Sequence, residues 1–329
     1  MTISTPTRIR PIEHLKGVKP PAPKWFEDAI HAPSDEGSVQ VGGASIVYSA
    51  WGKVGLPGLL FIHGGRAHRN WWRPFAPFLS EKFRVAALDL SGMGDSDWRQ
   101  KYSLDQAVDE LMAVVEAAKL NVQSRPIMIG HSFGGFITLA AVEREGEKLG
   151  GAVVIDSPMM KPDPNEGYKF INEANSQLKV PMNRLYKTIE EPISRFRLLP
   201  EQPSDELYLL DYIARTGLTD KRETPLRAAG SEPGEGWSWK FDPTAGMNFE
   251  ISFDRNLFLA ARCPLAFIYG TESAFNAGDG IEMHKKQFVG RAPFIEIPGS
   301  RHHLMMDAPI AFISTLRTLL SCWPVRIGL

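Results

Sequence analysis

Cysteine is nearly absent: the 329 residues hold only Cys263 and Cys322. Two thiols beside predicted strand and helix ends argue against a disulfide framework and are expected as buried thiols in a reducing compartment. No apolar run is long enough to span a bilayer, and the opening Met1-Thr2-Ile3-Ser4-Thr5-Pro6 lacks the core of a signal peptide. The expectation is a cytoplasmic protein with no membrane contact. Neither charge sign is in excess, because 37 Lys and Arg stand against 38 Asp and Glu for a formal net charge of −1. That balance gives no electrostatic case for nucleic acid. No Cys-x-x-Cys and no His/Cys/Asp group has metal-ligand spacing, so no metal is expected. No Walker sequence occurs, and Gly92-x-Gly94 lacks the third glycine and downstream acid of a dinucleotide site, so no cofactor is expected either.

What the chain does have is a succession of short, continuously apolar runs, each ending in a polar or glycine-rich turn. They are 58–62 before His63-Gly64-Gly65, 83–88 before Asp89, 127–129 before Gly130-His131-Ser132, 151–155 before Asp156, 264–269 before Gly270 and 292–297 before Pro298. Strands covered by helices on both faces read this way, whereas half-exposed strands alternate. Helical periodicity lies between them. Ser103 is placed to cap a helix over 104–120, and Asp307 to cap a last helix with Pro309 in its first turn. Residues 39–41 and 44–51, joined by Gly42-Gly43, predict an opening antiparallel hairpin. The alternation over 58–156 and 264–320 predicts an α/β fold with a doubly wound, mostly parallel sheet.

Gly130-His131-Ser132-Phe133-Gly134 sits at the junction of one such strand with a small-residue helix start. A Gly-x-Ser-x-Gly there forms a nucleophile elbow, a turn sharp enough to strain the serine backbone and project its hydroxyl. Three further motifs accompany it: His63-Gly64-Gly65, Asp89-x-x-Gly92-x-Gly94-x-Ser96, and Pro298-Gly299-Ser300-Arg301-His302. In this order the four resemble the α/β-hydrolase family, in its cap-bearing esterase and meta-cleavage-product hydrolase branch, and the resemblance covers nearly everything after about residue 38. It implies an eight-stranded sheet and a helical cap inserted after the sixth strand. The expected organisation is an arm over 1–37, a core over 38–157 and 257–329, and a cap over 158–256.

A serine hydroxyl is a poor nucleophile at neutral pH and needs a base, which in turn needs a carboxylate to fix its tautomer. Ser132 is the candidate nucleophile and His302 the candidate base, in the order Ser, acid, His. His303 is read as packing or as a hydrogen-bond partner. The resemblance places His131 on the core side of the elbow. The acid departs from the family pattern: the slot three residues after Gly270 holds Ser273. Asp156, at the end of the sixth strand where some relatives carry it, is ranked first, Glu272 second and Asp279 third. By resemblance the oxyanion donors are the N–H groups of Phe133 and Gly65, with Arg66 as a substitute for the latter.

Between 158 and 256 the strand pattern stops, with helical candidates near 165–178, 182–196, 204–216 and 248–260. Trp71, Trp72, Phe133, Met159, Met160, Trp237 and Trp239 are candidate pocket walls, the last two also reading as structural. The functional reading is hydrolysis of a carboxylic ester or related small acyl substrate by a monomer or homodimer. Alternatives are carbon–carbon or lactone cleavage by the same residues, or a noncatalytic binding protein on the same fold.

Overall fold

The computed structural model describes residues 8–157, 183–221, 235–245, 249–250, 261–276, 282, 285–286 and 288–323. Eight strands form one sheet: β1 (Asp35–Val41), β2 (Ala44–Trp51), β3 (Gly58–Ile62), β4 (Arg84–Leu88), β5 (Ile127–His131), β6 (Gly151–Ile155), β7 (Leu265–Gly270) and β8 (Phe294–Ile297). Their spatial order is β1-β2-β4-β3-β5-β6-β7-β8. β2 runs antiparallel to β1 and β4, and every other neighbouring pair is parallel. Gly42 and Gly43 form the two-residue turn between β1 and β2 with φ of 51° and 79°, the positive values that match the strands' right-handed twist.

Both faces of the sheet are buried, which explains the absence of alternation in the sequence. Along β3, Leu59 and Phe61 enter one core while Leu60 and Ile62 enter the other, and β4, β5, β6 and β7 divide in the same way. On one side α2 (Leu104–Ala117) and α3 (Phe133–Glu145) cover the strands. On the other lie Trp72, Phe75 and α7 (Pro309–Ser321). Ser103 caps α2 by accepting from the Gln106 N–H at 3.2 Å.

Several local expectations are corrected. Within the stretch expected as an arm lies a helix, α1 (Lys24–Ile30), whose Phe26, with the upstream Ile12, is fully buried in the core that Leu59 and Phe61 enter. The predicted helix over 182–196 is reduced, within its described part, to α4 (Glu190–Ser194). The Tyr186 backbone is instead engaged in two hydrogen bonds with Trp237. α5 (Leu207–Thr216) follows and inserts Leu209, Leu210 and Ile213 into the core shared with Trp72. A two-stranded antiparallel ribbon then pairs Leu218–Asp220 with Trp237–Trp239. Asp307 does not cap α7. It ends the short helix α6 (Leu304–Asp307), and its carboxylate turns back to accept from the Arg301 N–H and guanidinium, because the N-cap of α7 is Ala308, one residue later. Cys263 is buried, but Cys322 is exposed just past the end of α7, where the buried Trp323 that follows it takes the contact with the sheet. The helical candidates at 165–178 and 248–260, together with Met159, Met160 and Asp279, lie outside the described residues, the pairing of 249–250 with Tyr102 and Ser103 excepted. Among the described residues no helix is long and apolar enough to cross a membrane.

Candidate active site

Ser132 occupies the single residue between β5 and α3 with φ 53° and ψ −120°. A non-glycine residue in that conformation costs about 1–3 kcal/mol and persists only where packing enforces it. The enforcement is visible at Gly134, where a Cβ would lie 2.5 Å from the His63 carbonyl oxygen and 2.6 Å from that of Ile62. The helix start is thus pressed against the end of β3, and only glycine fits. Ser157 secures the other side by donating its hydroxyl to the Ser132 carbonyl at 2.7 Å.

The hydroxyl so presented meets the loop after β8. Ser132 Oγ lies 3.0 Å from His302 Nε2, and His302 Nδ1 lies 2.7 Å from Asp156 Oδ2. These three residues come from the ends of β5, β8 and β6, which the sheet order places near one another. Asp156 has a positive φ of 40° and is 4% exposed. Its carboxylate accepts two further hydrogen bonds, from the Ser273 hydroxyl to Oδ2 at 2.6 Å and from the Gly270 N–H to Oδ1 at 3.1 Å. Ser273, singled out in the sequence only as an acid slot without an acid, therefore holds the carboxylate that faces His302. Glu272 is exposed, and its carboxylate is not brought to the imidazole. With Asp156 acceptor-only, Nδ1 carries the proton and Nε2 is left to accept from Ser132.

Two more histidines pack against His302, with ring centroids 4.7 Å away for His131 and 4.6 Å for His303. His131 donates from Nε2 to the His302 carbonyl at 3.0 Å. His303 donates from both its backbone N–H and Nδ1 to Gln202 Oε1 at 2.9 and 3.0 Å. Burial pushes both imidazoles well below the usual histidine range, and the neighbouring His302 adds to the shift. They stay neutral and position the loop, while His302 alone among the three contacts a carboxylate. Gln202 was not singled out in the sequence, because a glutamine 101 positions away carries no local signal.

The loop after β3 is fixed by His63. Its Nδ1 donates to the Gly64 carbonyl at 2.7 Å and its Nε2 accepts from the Leu90 N–H at 3.1 Å. In a trans peptide the C=O and the following N–H point opposite ways, so the Gly65 N–H is directed away from His63. Gly65 and Phe133 are neighbours, since a Cβ on Gly65 would sit 3.7 Å from that of Phe133. The Asp89 motif braces this region, with its carboxylate accepting from the Arg69 backbone and guanidinium and from the Asp95 N–H.

Beside Gly65 opens a cavity of about 280 Å³ lined by Trp71, His303, Ile213 of α5, and Trp239 and Phe241 of the ribbon side. Trp71 and Trp239 are thus wall residues. Trp72 is not: it is 1% exposed and packs against Phe61 and Phe312, because its indole lies on the sheet side of the loop. Trp237 packs against the core and is likewise absent from the wall, as is Phe133. Among the described residues no group of three His, Cys, Asp or Glu is arranged to hold a metal.

Comparison with known proteins agrees with this architecture. Epoxide hydrolase 4 from Mus musculus is 23% identical over 276 residues, which cover 80% of this chain and 72% of that protein. Among solved structures, the thioesterase domain from the curacin biosynthetic pathway superposes with a TM-score of 0.67 at 20% identity, covering 87% of this chain and 99% of that one. E-2-(acetamidomethylene)succinate hydrolase gives 0.67 at 17% identity, covering 88% and 100%. The profile of the Alpha/beta hydrolase family matches residues 59–315, and the chain belongs to that family of hydrolytic enzymes.

Proposed function

We propose that this hydrolase is a serine enzyme that cleaves a carboxylic ester or related acyl substrate through an acyl-enzyme. The observation that carries the reading is the continuous hydrogen-bonded series from Ser132 Oγ through His302 to Asp156 on a strained elbow. Ser132 attacks the substrate carbonyl as His302 Nε2 takes its proton, and Asp156 stabilises the imidazolium that forms. The N–H of Phe133, at the first turn of α3, and that of Gly65 receive the tetrahedral oxyanion, a contribution of about 10² to 10³ in rate per donor. His302 returns the proton to the leaving group, and a water it then activates releases the acid. α5 and the ribbon act as a cap over the cavity beside Gly65; Ser132 and His302 do not line that cavity, and Gly65 and His303, which packs against His302, join it to them.

The likeness to an epoxide hydrolase motivates a second reading. Epoxide opening in this fold uses a carboxylate nucleophile, and the elbow carries the hydroxyl of Ser132, so acyl transfer is favoured. Modification with a fluorophosphonate, located by peptide mass analysis, tests the assignment. Labelling of Ser132 that disappears in His302→Ala is expected. An unlabelled serine, or p-nitrophenyl ester turnover unchanged in Ser132→Ala, would overturn it. Turnover of a dienone acid without any ester turnover would move the chemistry to carbon–carbon cleavage.

A further inference from the structure

The cavity beside Gly65 has an unusual charge. Six of its wall residues are cationic, namely Arg8, Arg10, Arg66, Arg195, Arg197 and Lys240, and no Asp or Glu is among them. The chain as a whole has one more acidic than basic residue, so this is a local segregation. Three of the cations are balanced from outside the wall: Arg10 by Glu13 at 2.6 Å, Arg197 by Glu201 at 2.7 Å and Lys240 by Asp95 at 3.0 Å. Arg66 and Arg195 form no ion pair with any described residue. Arg66 directly follows Gly65, has φ 60°, and holds its guanidinium 5.6 Å from the centre of the Phe241 ring. Between these charges the wall mixes apolar residues, Trp71 and Leu198 among them and both buried, with His68, His303 and Tyr186.

A half-open cavity in which apolar residues alternate with exposed arginines offers a plain fatty acyl chain no partner for the Arg66 and Arg195 guanidinium groups. It suits a molecule with an apolar body and an oxyanion terminus, which a guanidinium grips with two parallel N–H donors. A cavity of about 280 Å³ admits a small acid and not a polyanion. We infer that the substrate carries a carboxylate or phosphate in addition to its scissile acyl bond, and that Arg66 and Arg195 seat it. The inference rests on the serine-hydrolase reading for its chemistry, but the anion pocket can be tested separately.

The turnover test compares the mono-p-nitrophenyl ester of adipic acid, its ω-phosphono counterpart and neutral p-nitrophenyl hexanoate. At low ionic strength kcat/KM should favour an anionic ester by about tenfold, and the preference should shrink as salt screens the charges. Whichever anion is preferred identifies the carboxylate or the phosphate as the terminus. In Arg195→Gln the anionic-to-neutral ratio should fall about tenfold toward unity. Equal or better use of the neutral ester by the parent, or an unchanged ratio in Arg195→Gln, overturns the inference while leaving the serine reading intact. The binding test titrates Ser132→Ala with adipate and with neutral hexanamide by calorimetry. Salt-sensitive binding of adipate alone supports the pocket even if no ester is turned over, and equal or absent binding of both overturns it.

Discussion

Asparagine at position 156 is a sharper perturbation than alanine, because the surroundings dictate which way its amide must turn. Asp156 Oδ1 accepts from the Gly270 N–H, a backbone donor that cannot rotate, and Oδ2 accepts from the Ser273 hydroxyl and from His302 Nδ1. An amide nitrogen at the Oδ1 position would face another donor at 3.1 Å. At the Oδ2 position it faces two groups that can adapt, since a hydroxyl can turn and an imidazole can change tautomer. In Asp156→Asn the amide therefore settles with its NH₂ toward His302, whose Nδ1 must become the acceptor and whose Nε2 must carry the proton. That tautomer cannot take the proton from Ser132. A reversed tautomer of this kind costs about 10⁴ in kcat in a serine protease, and a loss of about 10³ to 10⁴ is expected here. Fluorophosphonate labelling rate is the first assay, because it needs no knowledge of the natural substrate, with p-nitrophenyl ester turnover as the second. Glu272→Gln, on an exposed side chain, is the control and should stay within about twofold. Asp156→Asn activity within tenfold of the parent, or a larger loss in Glu272→Gln, would refute the tautomer argument.

Ser273→Ala removes one of the three hydrogen bonds to the Asp156 carboxylate, an interaction worth about 1.5–3 kcal/mol when one partner is charged. A fall in kcat of about tenfold with KM unchanged is expected, and it should be largely restored in Ser273→Thr, which keeps the hydroxyl. Equal losses in both variants would reduce Ser273 to packing. Stability should also depend on pH through His63, His68, His131 and His303, all held below the usual histidine range first by burial, with His68 lowered to about 4. The unfolded chain binds these protons near pH ~6.5 while the folded one does not. The stabilisation is thus complete above that pH and is lost as the pH falls toward about 4. Thermal unfolding should shift to lower temperature across this window, and a Tm flat between neutral pH and the lower limit would contradict it.

Motifs with a fixed local geometry were legible in the chain itself. The apolar runs became β3 to β8, because strands buried on both faces need no alternation. Ser103 became a cap, because capping requires only a hydroxyl three residues from an amide. Asp307 satisfied the same local rule yet turned to Arg301, since its choice of partner was made by a loop folding back. Trp71 and Trp72 are adjacent in sequence and chemically alike, yet one lines the cavity and the other is sealed against Phe61. Which face each indole takes depends on the packing of α7 and the β3 loop, which no short window contains.

By itself, the sequence determined the elbow with its candidate nucleophile and the layered α/β architecture, which follow from spacings of a few residues, while the candidate base His302 came from the order of motifs that resembles the α/β-hydrolase family. Only the tertiary structure decided which carboxylate reaches His302, that Ser273 supports it, and that six cations from distant segments share one cavity. Those facts depend on the order in which parallel strands assemble, which sets the neighbours of each strand end. A hydrogen bond spanning 146 positions, from Asp156 to His302, is fixed by that order and by no pattern along the chain.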